Sequence, residues 1–429
     1  MISRYEVKEI SHIWNEDEKF KYYLEVEVAH LMTLEKEGIV PIGTTEKIKA
    51  SKINSARISE IEKTTNHDVI AFCTSITEQF SPEMGRFFHF GITSSDVIDT
   101  AHALMIRDSM LLIEKELLNL RLILHKSAEE TSDLLCLGRS HGISAEAMIF
   151  GQKFLSFHAE LSRRINEWKE ACLALTGQMS GAVGNYTIVT PEQEEKTVTA
   201  LGLKVEIVST QVIPRDHYAK IISLGALIGS LFERMATELR LLQHSDIDEV
   251  REGFSKGQKG SSTMPHKKNP ISSENISGMA RLLRSHLPPM LENCALWHER
   301  DISHSSVERM IFPDHFGILA YTSRRMKSVI ENLVIDRDRI EMKVKNSEKI
   351  YSSFVLHKLI ETNPQISRES IYEIVQKSFF NSKSVDELVF NLKIDLAEHH
   401  LNHRTEEWVN FQNLREHYKK QFLKVLKRQ

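Results

Sequence analysis

Glycine and proline are scarce, at 18 and 10 of 429 residues, against usual shares of about 7% and 5%. A many-stranded protein needs both at its turns, so the scarcity argues for long helices. Cysteine is scarce as well. Cys73, Cys136, Cys172 and Cys294 are scattered with no C-x-x-C pair, which fits neither a disulfide framework nor a zinc site and leaves four reduced packing residues. Neither sign of charge dominates: 55 Lys and Arg stand against 59 Asp and Glu, a net charge of −4. With no block of like charge, neither a nucleic-acid partner nor a membrane partner has an electrostatic footprint, although a small anionic ligand remains open.

Long hydrophobic runs are missing too. The longest charge-free stretch, Ala171 to Pro191, carries Gly177, Gln178, Gly181, Gly184 and Asn185 and is too polar to span a bilayer. The start, Met1-Ile2-Ser3-Arg4-Tyr5-Glu6, has no apolar segment and no small-residue cleavage site, so the expected location is cytoplasmic.

What the chain does have is helical periodicity. Asn15 with Glu18 forms a capping-box pattern, followed by Phe20, Tyr23, Leu24, Val28, Leu31 and Leu34 at helical spacing up to Gly38. A less regular helical region from Thr44 to Phe90 ends in a loop and an N-cap, Phe88 to Asp96. Beyond it, Ile113, Leu117, Leu120 and Leu124 line one face. Phe154, His158, Leu161, Ile165, Trp168, Cys172 and Leu175 line another, and Ile221, Leu224, Ile228, Leu231, Met235, Leu239 and Leu242 form the clearest seam. A last seam passes through Ile318, Met326, Val329, Ile330 and Leu333. Helices of some 20 to 30 residues, each ~30 to 45 Å long, make a long bundle. Only Lys204 to Ile213 looks strand-like. The expected fold is mainly α in three domains: residues 1–95, a central long-helix bundle at 96–346, and a C-terminal helical domain at 347–429, with one helix from Ser367 and another ending near Lys427.

The most unusual segment is Gly257 to Pro270. Glycines and serines loosen its first half while two prolines fix the second, so it reads as a loop that closes over a ligand and supplies hydroxyls, cations and an amide together. A plain polar linker between helices has a similar composition.

Gly260 to Pro270 matches the G-S-S-x-M-P-x-K-x-N-P signature of the fumarase/aspartase superfamily. Phe90-Gly91-Ile92-Thr93-Ser94-Ser95-Asp96 and Gly138-Arg139-Ser140-His141-Gly142 are similar to two further blocks of it. Within the superfamily the chain resembles the adenylosuccinate lyases through Arg4-Tyr5, Asn66-His67-Asp68, Gln211, and Trp297 to Arg309. The resemblance implies three domains, with four central domains joined into a homotetramer core of twenty helices and active sites shared between chains. It implies no metal and no organic cofactor. The implied activity is release of fumarate from succinylated purine nucleotides, a β-elimination across a C–N bond, which needs a base for the proton beside a carboxylate and an acid for the leaving nitrogen.

By the same resemblance, Ser261 is the base and His141 the acid. Lys267 and Asn269 face the charge that develops on the adjacent carboxylate, Ser262 adds a neighbouring hydroxyl or amide, and Glu274 pairs with the catalytic histidine. Thr93, Ser94 and Ser140 hold carboxylates, with Ser140 standing where the family usually has threonine, and Asn275 faces substrate. Arg4, Tyr5, Arg300, Ser305 and Arg309 hold ribose and phosphate, where guanidinium forks suit phosphate oxygens. Asn66, His67, Asp68 and Gln211 look like contacts to the base, ribose or reacting nitrogen, and His89 looks like a phosphate-side donor. The other histidines, including His125, His158, His286 and His357, read as structural or solvated, and Arg309 also fits a plain intersubunit ion pair. Two rival readings stay open: another superfamily member, such as argininosuccinate lyase or a carboxymuconate cycloisomerase, and a catalytically silent helical scaffold.

Overall fold

The computed structural model describes residues 2–254, 257, 263–264 and 266–428. Gly260, Ser261, Ser262 and Pro265 of the signature segment lie outside the described residues. The chain forms two compact units interleaved in sequence, one of residues 1–119, 163–234 and 275–326, the other of 120–162, 235–274 and 327–429.

In the first unit the helix Glu16–Lys36 starts where the capping pattern places it, and the Asn15 side chain accepts from the Glu18 N–H at 2.8 Å. The reciprocal half of the box is replaced, because the Glu18 carboxylate accepts from Lys21 at 2.5 Å. Phe20, Tyr23, Phe72 and Phe88 form a ring cluster, with neighbouring centroids 5.7 to 5.8 Å apart. That cluster joins the N-terminal helix to the helix Asp68–Thr77 and to the segment before His89. Sequence and structure agree on helix for Thr44 to Phe90, as four short pieces beginning at Thr44, Ser55, Asp68 and Pro82.

The long helices are Ser94–Glu130, Gly151–Leu173, Asp216–Leu242 and Ser303–Glu331. Most of their seams are buried as expected: Ile113, Leu117, Leu120 and Leu124 are fully buried and every member of the Ile221 to Leu242 series is buried, whereas Cys172 and Leu333 are only half-buried. Truncating one such residue to alanine costs about 2 to 5 kcal/mol, since the lost transfer energy adds to the cavity left behind. A buried ion network ties the long elements together, with Arg215 bonded to Asp99 at 2.7 and 2.9 Å and to Glu308 at 3.1 Å. Among the described residues, no helix is long and apolar enough to cross a membrane.

In the second unit the structure departs from the sequence expectation. Leu135–Ser140 (β1) and Ile143–Ile149 (β2) form an antiparallel hairpin between two long helices, where the sequence marked no strand. In the first unit, the strand expected over Lys204 to Ile213 shrinks to Lys204–Val205, paired in parallel with Thr176–Gly177. Ile207 and Val208 beyond it are 91% and 75% exposed, so their alternation does not mark a buried sheet face. A third small pairing joins Val250–Arg251 to Val334–Ile335. Short C-terminal helices follow, including one N-capped by Ser367 and a last one at Phe411–Leu426. Of the cysteines, Cys136 is buried, Cys73 and Cys172 are half-buried and Cys294 is exposed.

Candidate active site

The first unit brings together residues that are far apart in sequence. His67 caps the helix Asp68–Thr77, its Nδ1 accepting from the Ile70 N–H at 3.4 Å. Accepting there leaves the ring proton on Nε2, which lies 3.4 Å from Ser94 Oγ. Asn66 ends the preceding helix in a left-handed conformation with φ of 49°, which turns the chain toward His67. Asp68 accepts from Arg309 Nη2 at 2.8 Å. Four expected ligand contacts therefore share one cluster: His67, Asp68, Ser94 and Arg309.

Lys19 belongs beside them, although nothing marks it in the sequence beyond being one cation in a first helical turn. Its ammonium lies 4.4 Å from the Phe20 ring centroid. Burial holds it below its ordinary range against the opposing pull of Asp68, with Arg309 acting in the same sense as burial.

A second cluster gathers at the N-terminus. The rings of Tyr5 and Tyr321 lie 5.1 Å apart. Tyr321 Oη donates to Asn275 Oδ1 at 3.0 Å and accepts from Arg325 Nη1 at 3.0 Å. Burial raises the Tyr321 hydroxyl above its usual value, and Arg4 and Arg325 both pull the other way. Tyr5, Asn275 and the charge of Arg4 thus converge on Tyr321. Neither Tyr321 nor Arg325 was singled out in the sequence, because both sit inside a continuous helical pattern.

Arg300 and Gln211 meet each other as well as any ligand. Arg300 Nη1 donates to Gln211 Oε1 at 2.9 Å, and Gln211 Nε2 donates to the Ala182 carbonyl at 2.9 Å. The segment carrying Arg300, Ser305 and Arg309 is anchored from below, since His304 and Glu308, both buried, pack against the Arg215 network.

The loop before the long helix Ser94–Glu130 is organised by Asp96, which accepts from the Thr93 N–H at 2.8 Å and from the Gly181 N–H at 3.2 Å. Burial pushes this carboxyl up to about 7, against those two donors. His89 precedes the loop with φ of 63°. Its Nδ1 donates to Glu27 Oε1 at 2.6 Å and its backbone N–H to Glu27 Oε2 at 3.1 Å. Among the described residues, Glu27, Cys73 and His89 form the one cluster of metal-type donor atoms, lying within 4.8 Å of one another. Glu27 and His89 satisfy each other without a cation there, and burial, then the Glu27 charge, keeps the Cys73 thiol protonated.

In the second unit, Ser140 and His141 sit on the β1–β2 hairpin. Ser140 pairs with Ile143 across a two-residue turn in which His141 and Gly142 have φ of 54° and 77°. Two positive φ values in such a turn are the type I′ geometry, whose twist suits an antiparallel pair. The turn lifts His141 into an exposed position. A bulge at Gly138 breaks the register, and a Cβ there would approach the Glu146 carbonyl to 2.9 Å. Arg139 beside it forms a two-pronged pair with the buried Glu249. The histidine is therefore held by a braced hairpin tip.

Lys267, Asn269 and Glu274 line one cleft of about 1070 Å³ with Arg240, His244 and Arg251. Glu274 lies in the first turn of the helix Ile271–Ser285. Glu252 caps that helix, accepting from the Ser272 and Ser273 N–H groups at 3.0 and 2.7 Å, where a carboxylate meets the positive end of the helix dipole. Ser261 and Ser262 lie outside the described residues.

Residues 4–283 match the model of a lyase family. The chain is 42% identical to the adenylosuccinate lyase of Thermotoga maritima over 381 residues, 88% of each chain. It is 46% identical to that of Helicobacter pylori strain J99 over 382 residues, 88% of this chain and 86% of the relative. Among solved structures, a fumarate lyase from Mesorhizobium sp. BNC1 superposes with a TM-score of 0.86 at 19% identity, covering 100% of this chain and 99% of that one. The 3-carboxy-cis,cis-muconate lactonizing enzyme from Pseudomonas putida gives 0.84 at 20% identity, with 99% and 97% covered. At such identities those two share the fold, whereas the family match and the relatives above 40% identity carry more, and the chain belongs to this lyase family of the fumarase/aspartase superfamily.

Proposed function

We propose that the chain is an adenylosuccinate lyase that releases fumarate from adenylosuccinate, giving AMP, and from the succinylated aminoimidazole carboxamide ribotide, giving the carboxamide ribotide. The observation that carries this reading is the likeness to adenylosuccinate lyases at 42 and 46% identity over 88% of the chain.

In the proposed reaction Ser261 removes the proton beside a succinyl carboxylate and His141 protonates the departing purine-side nitrogen. Lys267 and Asn269 offset charge that builds on the carboxylate in the carbanion-like intermediate. Thr93, Ser94 and Ser140 hold the carboxylates with Ser262, and Glu274 orients His141. Arg4, Tyr5, His89, Arg300, Ser305 and Arg309 bind the nucleotide's ribose and phosphate, while Asn66, His67, Asp68, Gln211 and Asn275 bind its base side. No metal or organic cofactor takes part in the scheme.

We further propose a cytoplasmic homotetramer, the division into 1–95, 96–346 and 347–429, and sites completed by neighbouring chains. Exposed leucines along the long helices support the assembly: Leu111, Leu122, Leu227 and Leu241 are 46 to 63% exposed, and a second copy would cover such apolar surface. Purified protein should deplete adenylosuccinate absorbance with equimolar fumarate release. Turnover of argininosuccinate with none of either succinylated purine would overturn the reading.

A further inference from the structure

Glu27 lies in the middle of the helix Glu16–Lys36, and its side chain is fully buried. A carboxylate there must meet a cation or take up a proton, because an unpaired buried charge is strongly disfavoured. Both of its oxygens are spent on one residue, Oε1 on the His89 ring at 2.6 Å and Oε2 on the His89 backbone N–H at 3.1 Å. The second bond also holds a non-glycine residue at φ of 63°, a conformation with a conformational cost that the surroundings must offset. Ring and backbone of His89 are thus fixed by one carboxylate.

The groups facing this pair leave His89 as its cation. His30 is fully buried, with Nε2 on the Phe90 carbonyl at 2.8 Å, and burial lowers its basicity, so it stays neutral. Cys73 stays a thiol. Asp96 adds a second carboxylate on the acidic side. Burial by itself would lower the His89 ring, but the hydrogen bond and charge of Glu27, with Asp96 behind them, more than offset it and leave the ring raised. With Nδ1 committed, Nε2–H is the donor left over. No described residue takes it, and the side chain is 24% exposed.

We propose that Glu27 is a positioning residue that clamps His89 by ring and backbone, so that Nε2–H is presented as a charged donor to an oxyanion of the substrate phosphate. The clamp rests on the reading of the chain as a nucleotide lyase only in what the oxyanion is. Glu27 touches no substrate and acts through His89 alone.

The test is Glu27→Gln, which keeps the size and removes the charge. In the parent enzyme the imidazolium persists until pH rises through the raised value, so KM climbs only there. In Glu27→Gln the climb starts at lower pH, and in the interval between the two climbs KM exceeds the parent value by about tenfold while kcat stays within a few-fold, as loss of one charge-assisted bond remote from the reacting atoms predicts. Glu27→Asp, which retains the charge, should restore the parent pH profile in part, and it covers the case in which the Gln variant folds poorly. On a His89→Asn background, Glu27→Gln should add nothing to KM. NMR titration of the His89 ring, assigned by comparison with His89→Asn, reads the clamp without any substrate.

An unshifted His89 titration in Glu27→Gln overturns the proposal, as does a KM increase equal at every pH or one that persists on the His89→Asn background. If the protein turned over neither succinylated purine, the functional reading would fall, while the NMR titration would still decide whether Glu27 holds the His89 proton.

Discussion

Asp68 and Arg309 are 241 positions apart and meet at 2.8 Å through Asp68 Oδ2 and Arg309 Nη2. The arginine side chain is 59% exposed and the aspartate 11%. A pair that open adds only about 0 to 1 kcal/mol to stability. Its geometry fits a holder, which keeps the guanidinium proposed to bind phosphate in place beside His67 until the nucleotide arrives. Arg309→Met should therefore raise KM by about 10 to 100-fold and Asp68→Asn by less, with thermal midpoints moved by only a few degrees in either case. Steady-state kinetics with parallel melts check this. A large loss of stability with unchanged KM would return Arg309 to the role of a structural ion pair.

The hairpin turn supplies a cleaner test of positioning. Nothing lies within 4 Å of a Cβ built on Gly142, so a side chain there meets no steric obstacle, and only its φ of 77° resists substitution. Valine strongly disfavours that region, whereas asparagine enters it readily. Gly142→Val should displace His141 and lower kcat by about ten-fold or more, whereas Gly142→Asn should stay near the parent value. Equal kcat values in the two variants would mean that turn geometry does not set the position of His141.

The helices were legible in the sequence because burial at three- and four-residue spacing is a direct trace of one packed face. The Ile221 to Leu242 series shows this, every member being buried. The hairpin was not legible. Its turn is His-Gly rather than Asn-Gly, its first strand reads Leu-Cys-Leu-Gly-Arg-Ser without alternation, and the bulge at Gly138 shifts the register midway. Motif residues such as His67, Asp68 and Arg309 could be named from sequence. What surrounds them could not: Glu27, Lys19, Tyr321 and Arg325 act through tertiary contact, and each looks locally like an ordinary helical residue.

Asp96 gives a pH prediction. Its carboxyl is raised to about 7 by burial, against the Thr93 and Gly181 N–H donors, while an unfolded-state aspartate titrates near ~3.9. The folded protein therefore binds this proton more tightly than the unfolded chain. The resulting stabilisation is full below the unfolded value and is lost as pH rises through about 7. Asp96→Asn removes the titration, so the thermal midpoint of the parent relative to this variant should fall between about pH 4 and about pH 7 and level off above. A difference between the two that is constant with pH would remove the proton from Asp96.

The last prediction concerns what completes the site. His141 and Glu274, the proposed acid and the carboxylate that orients it, are both exposed in the single chain. Proton transfer of this kind depends on tuned basicity and fixed geometry, both of which water degrades, so a working site needs these side chains covered. The exposed leucines of the long helices offer the means, since copies joined along those faces cover apolar surface, and in the proposed tetramer a neighbouring chain completes each site. His141→Ala and Ser261→Ala should each lower kcat by several orders of magnitude while still binding substrate. Mixed, dissociated and reassembled in equal amounts, the two inactive proteins should recover about a quarter of parent activity, because random mixing gives about one site in four both intact residues. Activity that stays at the parental variants' level, with subunit exchange demonstrated by differently tagged chains, would place both residues in one chain and remove the shared site.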